Sequence, residues 1–196
     1  MIAVVDTGTA NLASMLAALR RIGLSPETTM APEVVRDAEQ LVLPGVGAFG
    51  AGMARLTELG LVEPLRERLG DERPTLVVCL GLQLLCAASE ESPGVAGLGI
   101  FDLTVGRFEK APIVPQLGWN LVKPSEGCRL LEEGYAYFAN SYRITEPPPG
   151  FHAAHAHHGE RFVAAFERGP VLACQFHPEL SGAWGQALLA RWRDAC

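Results

Sequence analysis

The chain has 196 residues, 22 acidic against 16 basic side chains and a net charge of −6, with 48% of residues apolar and 19% charged. That composition excludes a disordered chain, and the length predicts one compact domain over residues 1–196 with no need of a disulfide scaffold. The acidic balance argues against nucleic acid as a partner, and the uncharged run 74–89, interrupted by Gly81 and Gln83, is too short and mixed to span a membrane.

Ile2–Val5 is a short apolar run and predicts a buried strand. Leu12, Met15, Leu16, Leu19 and Ile22 recur at helical spacing, so residues 11–22 predict a helix that Gly23 stops. Residues 40–43 predict a second buried strand, and the glycine-rich segment 44–50 a break. Residues 51–69 predict helix in two pieces around Gly60 and Pro64. Thr75–Cys79 is β-branched and apolar, a third strand, and helix is expected over 81–88. Strand alternating with helix implies an α/β fold with a mostly parallel central sheet flanked by helices. From Leu98 onward the character changes. Short strand-like segments at 135–139, 161–166 and 171–176, with 147–150 as the clearest loop, predict a smaller β-rich excursion in the second half. Trp184, Leu188 and Trp192 at i, i+4, i+8 predict a closing helix over 181–193, with Ser181 as a candidate cap. Met1 to Asp6 lack the basic start and cleavage region of a signal peptide, so the expected compartment is the cytoplasm.

The five cysteines, Cys79, Cys86, Cys128, Cys174 and Cys196, are odd in number and scattered, without a C-x-x-C pair. Cys86 and Cys174 read as core residues. Cys79 differs, because it stands where a buried strand turns into a helix, which exposes a nucleophile at the carboxyl edge of a sheet. A helix N-terminus there favours thiolate, and the Leu80 N–H could stabilise an oxyanion. His177 follows an expected strand, and on an extended chain Glu179 two residues on would share its face and fix its imidazole. Together they give the cysteine form of a nucleophile–base–orienter triad. The third element is Pro44-Gly45-Val46-Gly47, a loop able to aim N–H groups at developing negative charge. Read singly, these are equally a core cysteine, a surface turn and a plain loop; the combination carries the chemistry. His152, His155, His157 and His158 lie close in sequence, with Glu160 near, but lack a usual metal-ligand spacing, so no metal is expected. Gly8-Thr9-Ala10-Asn11 is not a dinucleotide loop, and no cofactor is expected.

Cys79-Leu80-Gly81-Leu82-Gln83 and Gln175-Phe176-His177-Pro178-Glu179 resemble the class I (triad) glutamine amidotransferases. The segments 6–12, 44–50, 115–120 and 137–142 narrow the resemblance to glutaminase subunits of imidazole glycerol phosphate synthases, collinear over essentially the whole chain. The resemblance implies that Cys79 attacks the side-chain amide of glutamine and that His177, held by Glu179, protonates the departing ammonia. It implies an oxyanion site from Leu80 and the Gly45, Val46, Gly47 loop. Gln83 and Glu91 would hold the α-amino and α-carboxylate ends of glutamine, with Ser141 and Tyr142 lining its pocket. The implied partner is a (β/α)8-barrel cyclase that receives the ammonia, faced by Asn11, Trp119, Asn120 and Tyr137. A core or hinge position is the other reading of Trp119.

Five positions depart from the expected pattern. Val77 stands for glycine at the elbow, Thr7 for an aromatic, Gln116 and Asn140 for histidines, and Leu180 for a lysine that would bridge to the partner. Two further readings share the motifs: a glutaminase serving another synthase, and a catalytically silent module that only docks to a partner.

Overall fold

A computed structural model describes residues 1–8 and 11–196. Thr9 and Ala10, in the segment 6–12 singled out above, lie outside them. In chain order the elements are β1 (Ile2–Val5), α1 (Leu12–Arg21), β2 (Pro26–Thr29), α2 (Pro32–Asp37), β3 (Gln40–Gly45), α3 (Phe49–Glu58), α4 (Val62–Gly70), β4 (Thr75–Cys79) and α5 (Leu80–Leu84). They continue with β5 (Cys86–Ser89), β6 (Phe101–Arg107), β7 (Gln116–Pro124), β8 (Gly134–Asn140), β9 (Tyr142–Arg143), β10 (His152–His157), β11 (Arg161–Arg168), β12 (Val171–Cys174), a 3-10 turn (Pro178–Leu180) and α6 (Gly182–Asp194). One nine-stranded sheet runs β2-β1-β3-β4-β12-β11-β10-β7-β8, and β5-β6-β9 form a small second sheet. Strands β2 to β12 pair in parallel in that order, whereas β11, β10, β7 and β8 extend the same sheet antiparallel. The β-rich second half is therefore mostly a continuation of the central sheet.

Alternation along the strands builds a core on each face. Ile2, Val4, Leu76 and Val78 pack with Met15, Leu19, Leu188 and Trp192 of α1 and α6. Ala3, Val5, Leu43 and Val77 pack with Met53, Leu56, Leu65 and Leu69 of α3 and α4. Among the described residues no helix is long and apolar enough to cross a membrane.

Three expectations need correction. Strand β3 runs on through Pro44 and Gly45, which pair with Val78 and Cys79. Proline is tolerated because β1 pairs with β3 only as far as Val42, so its missing N–H costs no ladder bond on that side. The helix expected over 81–88 stops at Leu84, and Cys86–Ser89 is a strand. The returning segment takes the carbonyls that helix would need: Leu98 N–H donates to Leu84 O, Ile100 to Leu85 O and Gly97 to Ala87 O, at 2.8–3.0 Å. Ser181 does begin α6, but its side chain makes no helix cap. Its Oγ accepts the Tyr137 N–H at 3.0 Å and donates to His177 O at 2.6 Å.

Candidate active site

Strand β4 delivers Cys79 to the carboxyl edge of the parallel strands, and the backbone there turns sharply. Cys79 has φ +53° and ψ −108°, a region unfavourable to a side chain and costing about 1–3 kcal/mol. The turn breaks strand alternation. By parity Cys79 should share a face with Val77, yet it packs with Val78, Phe138 and Phe176 on the other. Val77 is accommodated at this elbow because Gly81 is bare: a Cβ on Gly81 would lie 2.5 Å from Leu43 O and 2.9 Å from Val77 Cγ1. The helix behind the sulfur is only Leu80–Leu84, so the dipole support expected from a longer helix is small.

A cavity of about 230 Å³ opens beside Cys79. Of the residues expected there, Val46, Gly47, Leu80, Gln83, Glu91, Ser141, Tyr142 and His177 line it, joined by Ala139 and Asn140. Gly45 does not line it. It sits at the end of β3 opposite Cys79, where a Cβ would press on Leu80 Cβ at 3.0 Å. A larger cleft of about 510 Å³ between β7 and β10 contains no cysteine.

His177 and Glu179 meet by a route other than the expected one. Strand β12 ends at Cys174, and His177 is extended at φ −101°, but Glu179 lies in the 3-10 turn that follows. That turn folds the carboxylate back, bringing Oε1 to 2.9 Å from Nδ1 of His177. Both side chains are almost wholly buried. The imidazole is anchored through its backbone, His177 N–H donating to Tyr137 O at 2.9 Å. Burial pushes its pKa down, but attraction to the Cys79 sulfur and the bond and charge of Glu179 outweigh this and raise it to about 10. His177 is thus imidazolium at neutral pH. Its folded-state pKa lies above the free value of 6.5, so the stability it contributes is complete below that pH and is lost as the pH climbs past about 10.

Behind the cavity wall the polar groups are tied together. Gln83 Nε2 donates to Gln175 Oε1 at 3.0 Å and to Tyr142 O at 3.3 Å, and Gln175 Nε2 donates to Cys79 Sγ at 3.6 Å. Asn140 Nδ2 also donates to Tyr142 O, at 3.0 Å. Glu91 Oε2 accepts the Phe49 N–H at 2.6 Å, and Ser92 Oγ accepts that of Gly50 at 3.0 Å. The acid beside the cavity therefore also holds the start of α3, where the 45–48 loop ends. The sequence offers Gln175 no role and Ser181 only that of a helix cap. Gln175 bonds to Gln83 and Cys79, more than ninety residues away, so no local pattern announces those contacts.

Strand β9, which supplies Tyr142, is clamped by a neighbouring ion pair. Arg143 Nη2 lies 2.7 Å from Glu160 Oε2, and Glu160 Oε1 accepts the N–H groups of Glu109 and Lys110 at 2.7 and 3.3 Å. Burial pushes the Glu160 carboxyl up, but these donors prevail and hold it down at about 2. The clamp's stability is present above the ordinary value of 4.5 and is lost as pH falls toward 2. Glu160→Gln is therefore expected to cost about 2 kcal/mol at pH 7. Urea unfolding at pH 7 and pH 3 should show the gap from the parent narrowing at the lower pH; an equal gap at both would remove the carboxylate from the account.

Of the four positions expected at a partner surface, three lie on the β7–β8 pair and one at the start of α1. Trp119 is 57% exposed, which excludes the core reading, and its ring meets that of half-buried Tyr137 edge-on at 6.2 Å. Register puts Trp119 opposite Tyr137 and Leu121 opposite Tyr135, so Leu117, Trp119, Tyr135 and Tyr137 share one face of the β7–β8 pair. Asn120 is committed internally, its Nδ2 donating to His157 O at 2.9 Å. Asn11 caps α1, accepting the Ser14 N–H. The histidines of 152–158 disperse. His155 Nδ1 contacts Arg161 and burial lowers its pKa, while His158 Nε2 lies 2.7 Å from Ile113 O. Among the described residues no group of three His, Cys, Asp or Glu could hold a metal ion.

This elbow, triad geometry and sheet belong to a recognised class. The chain belongs to the glutamine amidotransferase class-I family, whose model matches residues 3–193. Within that class it belongs to the family of imidazole glycerol phosphate synthase subunits HisH. The subunit HisH of Methanothermobacter thermautotrophicus is 43% identical over 192 residues, covering 96% of each chain. That of Symbiobacterium thermophilum is 40% identical over 195 residues, covering 97% of this chain and 92% of its own. The chloroplastic imidazole glycerol phosphate synthase hisHF of Arabidopsis thaliana is 36% identical over 98% of this chain, which spans 34% of that longer protein. The fold matches a solved glutamine amidotransferase with a TM-score of 0.78 at 20% identity, over 99% of this chain and 97% of the other.

Proposed function

We propose that this chain is the glutaminase subunit of an imidazole glycerol phosphate synthase, hydrolysing glutamine to glutamate and passing the ammonia to a cyclase partner. The observation that supports the chemistry is the meeting of Cys79 and His177 in one buried cavity, with Glu179 at 2.9 Å behind the imidazole.

In this reading the Cys79 thiolate attacks the amide carbon of glutamine, forming a C–S bond. The tetrahedral oxyanion rests on the Leu80 N–H and on one from Val46 or Gly47, which line the cavity. His177, charged at neutral pH, gives its proton to the departing ammonia and the C–N bond breaks. His177 then takes a proton from water, which cleaves the thioester and releases glutamate and free thiolate. Glu179 holds the ring and stabilises its charged form. Glu91 and Gln83 secure the α-amino and α-carboxylate ends of the substrate, and Ser141 and Tyr142 shape its pocket.

The partner we assign is a (β/α)8-barrel cyclase that binds a nucleotide and consumes the ammonia. Water would protonate free ammonia at neutral pH and spoil it as a nucleophile, so a covered route is required. The apolar face of Leu117, Trp119, Tyr135 and Tyr137 suits such a partner, since surfaces of this kind rich in aromatics mark protein contacts. Leu180, 38% exposed beside the triad turn, offers an apolar contact in place of a lysine ion pair.

The test is co-purification with the cyclase, followed by glutamate release with its nucleotide present and absent. Strong stimulation by the loaded cyclase is expected, and full basal activity in the isolated chain would show that the partner does not activate it. Glu179→Gln should retain more steady-state turnover than Cys79→Ala; equal losses would count against an orienting role for the carboxylate.

A further inference from the structure

We propose that Gln175 is a positioning residue for the sulfur, its side-chain amide donating an N–H to Cys79 in an orientation dictated by the main-chain carbonyl of Tyr142.

Start at that carbonyl. Tyr142 O can only accept, so the Gln83 side-chain atom 3.3 Å from it must be the amide nitrogen. The same nitrogen lies 3.0 Å from the Gln175 side chain, which must therefore present its oxygen there. That leaves the Gln175 nitrogen as the atom 3.6 Å from Cys79 Sγ. One fixed acceptor thus sets two side-chain amides in series, and the end of the series is a donor aimed at sulfur. Gln175 is 1% exposed and Gln83 6%, so both amides are shielded from bulk solvent. A donor at sulfur favours thiolate over thiol, and a neutral donor does so without repelling the His177 imidazolium. The titratable or charged groups around the sulfur are His177, backed by Glu179, and Glu91 and Tyr142 on the cavity wall. The His177 imidazolium also favours the thiolate, and the amide adds a second, neutral donor at the same sulfur.

The series also gives Gln83 a second task, because the residue proposed to hold glutamine also fixes the amide that faces the nucleophile. The inference rests on the proposed reading only in taking Cys79 as the reacting thiol.

The experiment is alkylation of the folded chain by iodoacetamide across pH 5–10, with peptide masses resolving each cysteine, for the parent, Gln175→Met and Gln175→Glu. Methionine keeps the length and removes the donor; glutamate keeps the shape and presents acceptor oxygens to the sulfur. At pH 7 we expect alkylation of Cys79 to fall about tenfold in Gln175→Met and further in Gln175→Glu, with both pH profiles displaced upward. Exposed Cys196 should react unchanged, and buried Cys174 should stay protected, which reports an intact fold. If either variant keeps Cys174 protected while Cys79 reacts with the parent's pH profile, the proposal is overturned. If Cys174 becomes reactive in Gln175→Met, Gln175→Glu decides alone; if it becomes reactive in both, Gln175 is a packing residue and the proposal fails. Glutamate release by the parent with its cyclase is measured alongside. Displaced alkylation profiles without glutamate release would sink the glutaminase reading and leave this one standing.

Discussion

Cys79→Ala should abolish glutamine hydrolysis, lowering turnover by about ten-thousand-fold or more, while the protein stays folded. The reason is that the remaining machinery has nothing to act on. In the proposed mechanism His177 and Glu179 would still hold and move a proton, and the loop and Leu80 N–H would still stabilise an oxyanion, but no bond to the amide carbon could form. The fold should survive because alanine fits the same strained backbone and the residue is only 7% exposed within its core cluster. Cys79→Gly adds a second readout. Glycine accepts φ +53° freely, so the glycine variant should resist urea better than the alanine variant by about 1–2 kcal/mol. Glutamate release from the complex and unfolding of the two variants test both statements. Turnover in Cys79→Ala close to the parent's would end the assignment of the nucleophile.

Arg68→Ala should cost about 3–5 kcal/mol, the largest loss of stability expected from one polar side chain here. Arg68 is fully buried, and among the described residues no carboxylate lies at hydrogen-bonding distance from it. Its guanidinium donates to the carbonyls of Ala38 and Pro74 at 2.7 and 2.6 Å, and to those of Arg36 and Glu39 at 3.2 and 3.3 Å. It thereby ties the end of α2 and the approach to β3 to the approach to β4. Burial, and next the charge of Arg73, lower its pKa to about 10, so it stays charged at neutral pH. Truncation strands those carbonyls, each worth about 1–3 kcal/mol when left unpaired. Arg68→Lys keeps the charge but lacks the planar fork, and should recover less than half of the loss. Urea unfolding of the three proteins at pH 7 checks this; a loss under 1 kcal/mol in Arg68→Ala would show that water replaces the guanidinium.

Local signals decided what could be read in advance. Ile2–Val5 and Thr75–Cys79 are apolar runs that stand in the structure with the bounds their patterns suggest. Gly60 broke the helical stretch between α3 and α4 as its position implied. Cys86–Ser89 misled because its conformation is imposed by a segment that returns to claim the preceding carbonyls. Strand alternation gives an incomplete reason for the pairing of His177 with Glu179, because a tight turn brings them together. The link from Tyr142 to Cys79 through two amides joins three distant stretches of chain, so no spacing could announce it. Gly45 illustrates the opposite case, a glycine in a suggestive loop whose place is explained by close packing.

The hydroxyl of Ser181 has a mechanical consequence. It grips the amide of Tyr137 on the outer hairpin and the carbonyl of His177 on the triad turn, and Tyr137 O in turn accepts the His177 N–H. Displacing that hairpin would therefore displace the backbone that carries the imidazole, through the two bonds of one hydroxyl and the direct bond beside them.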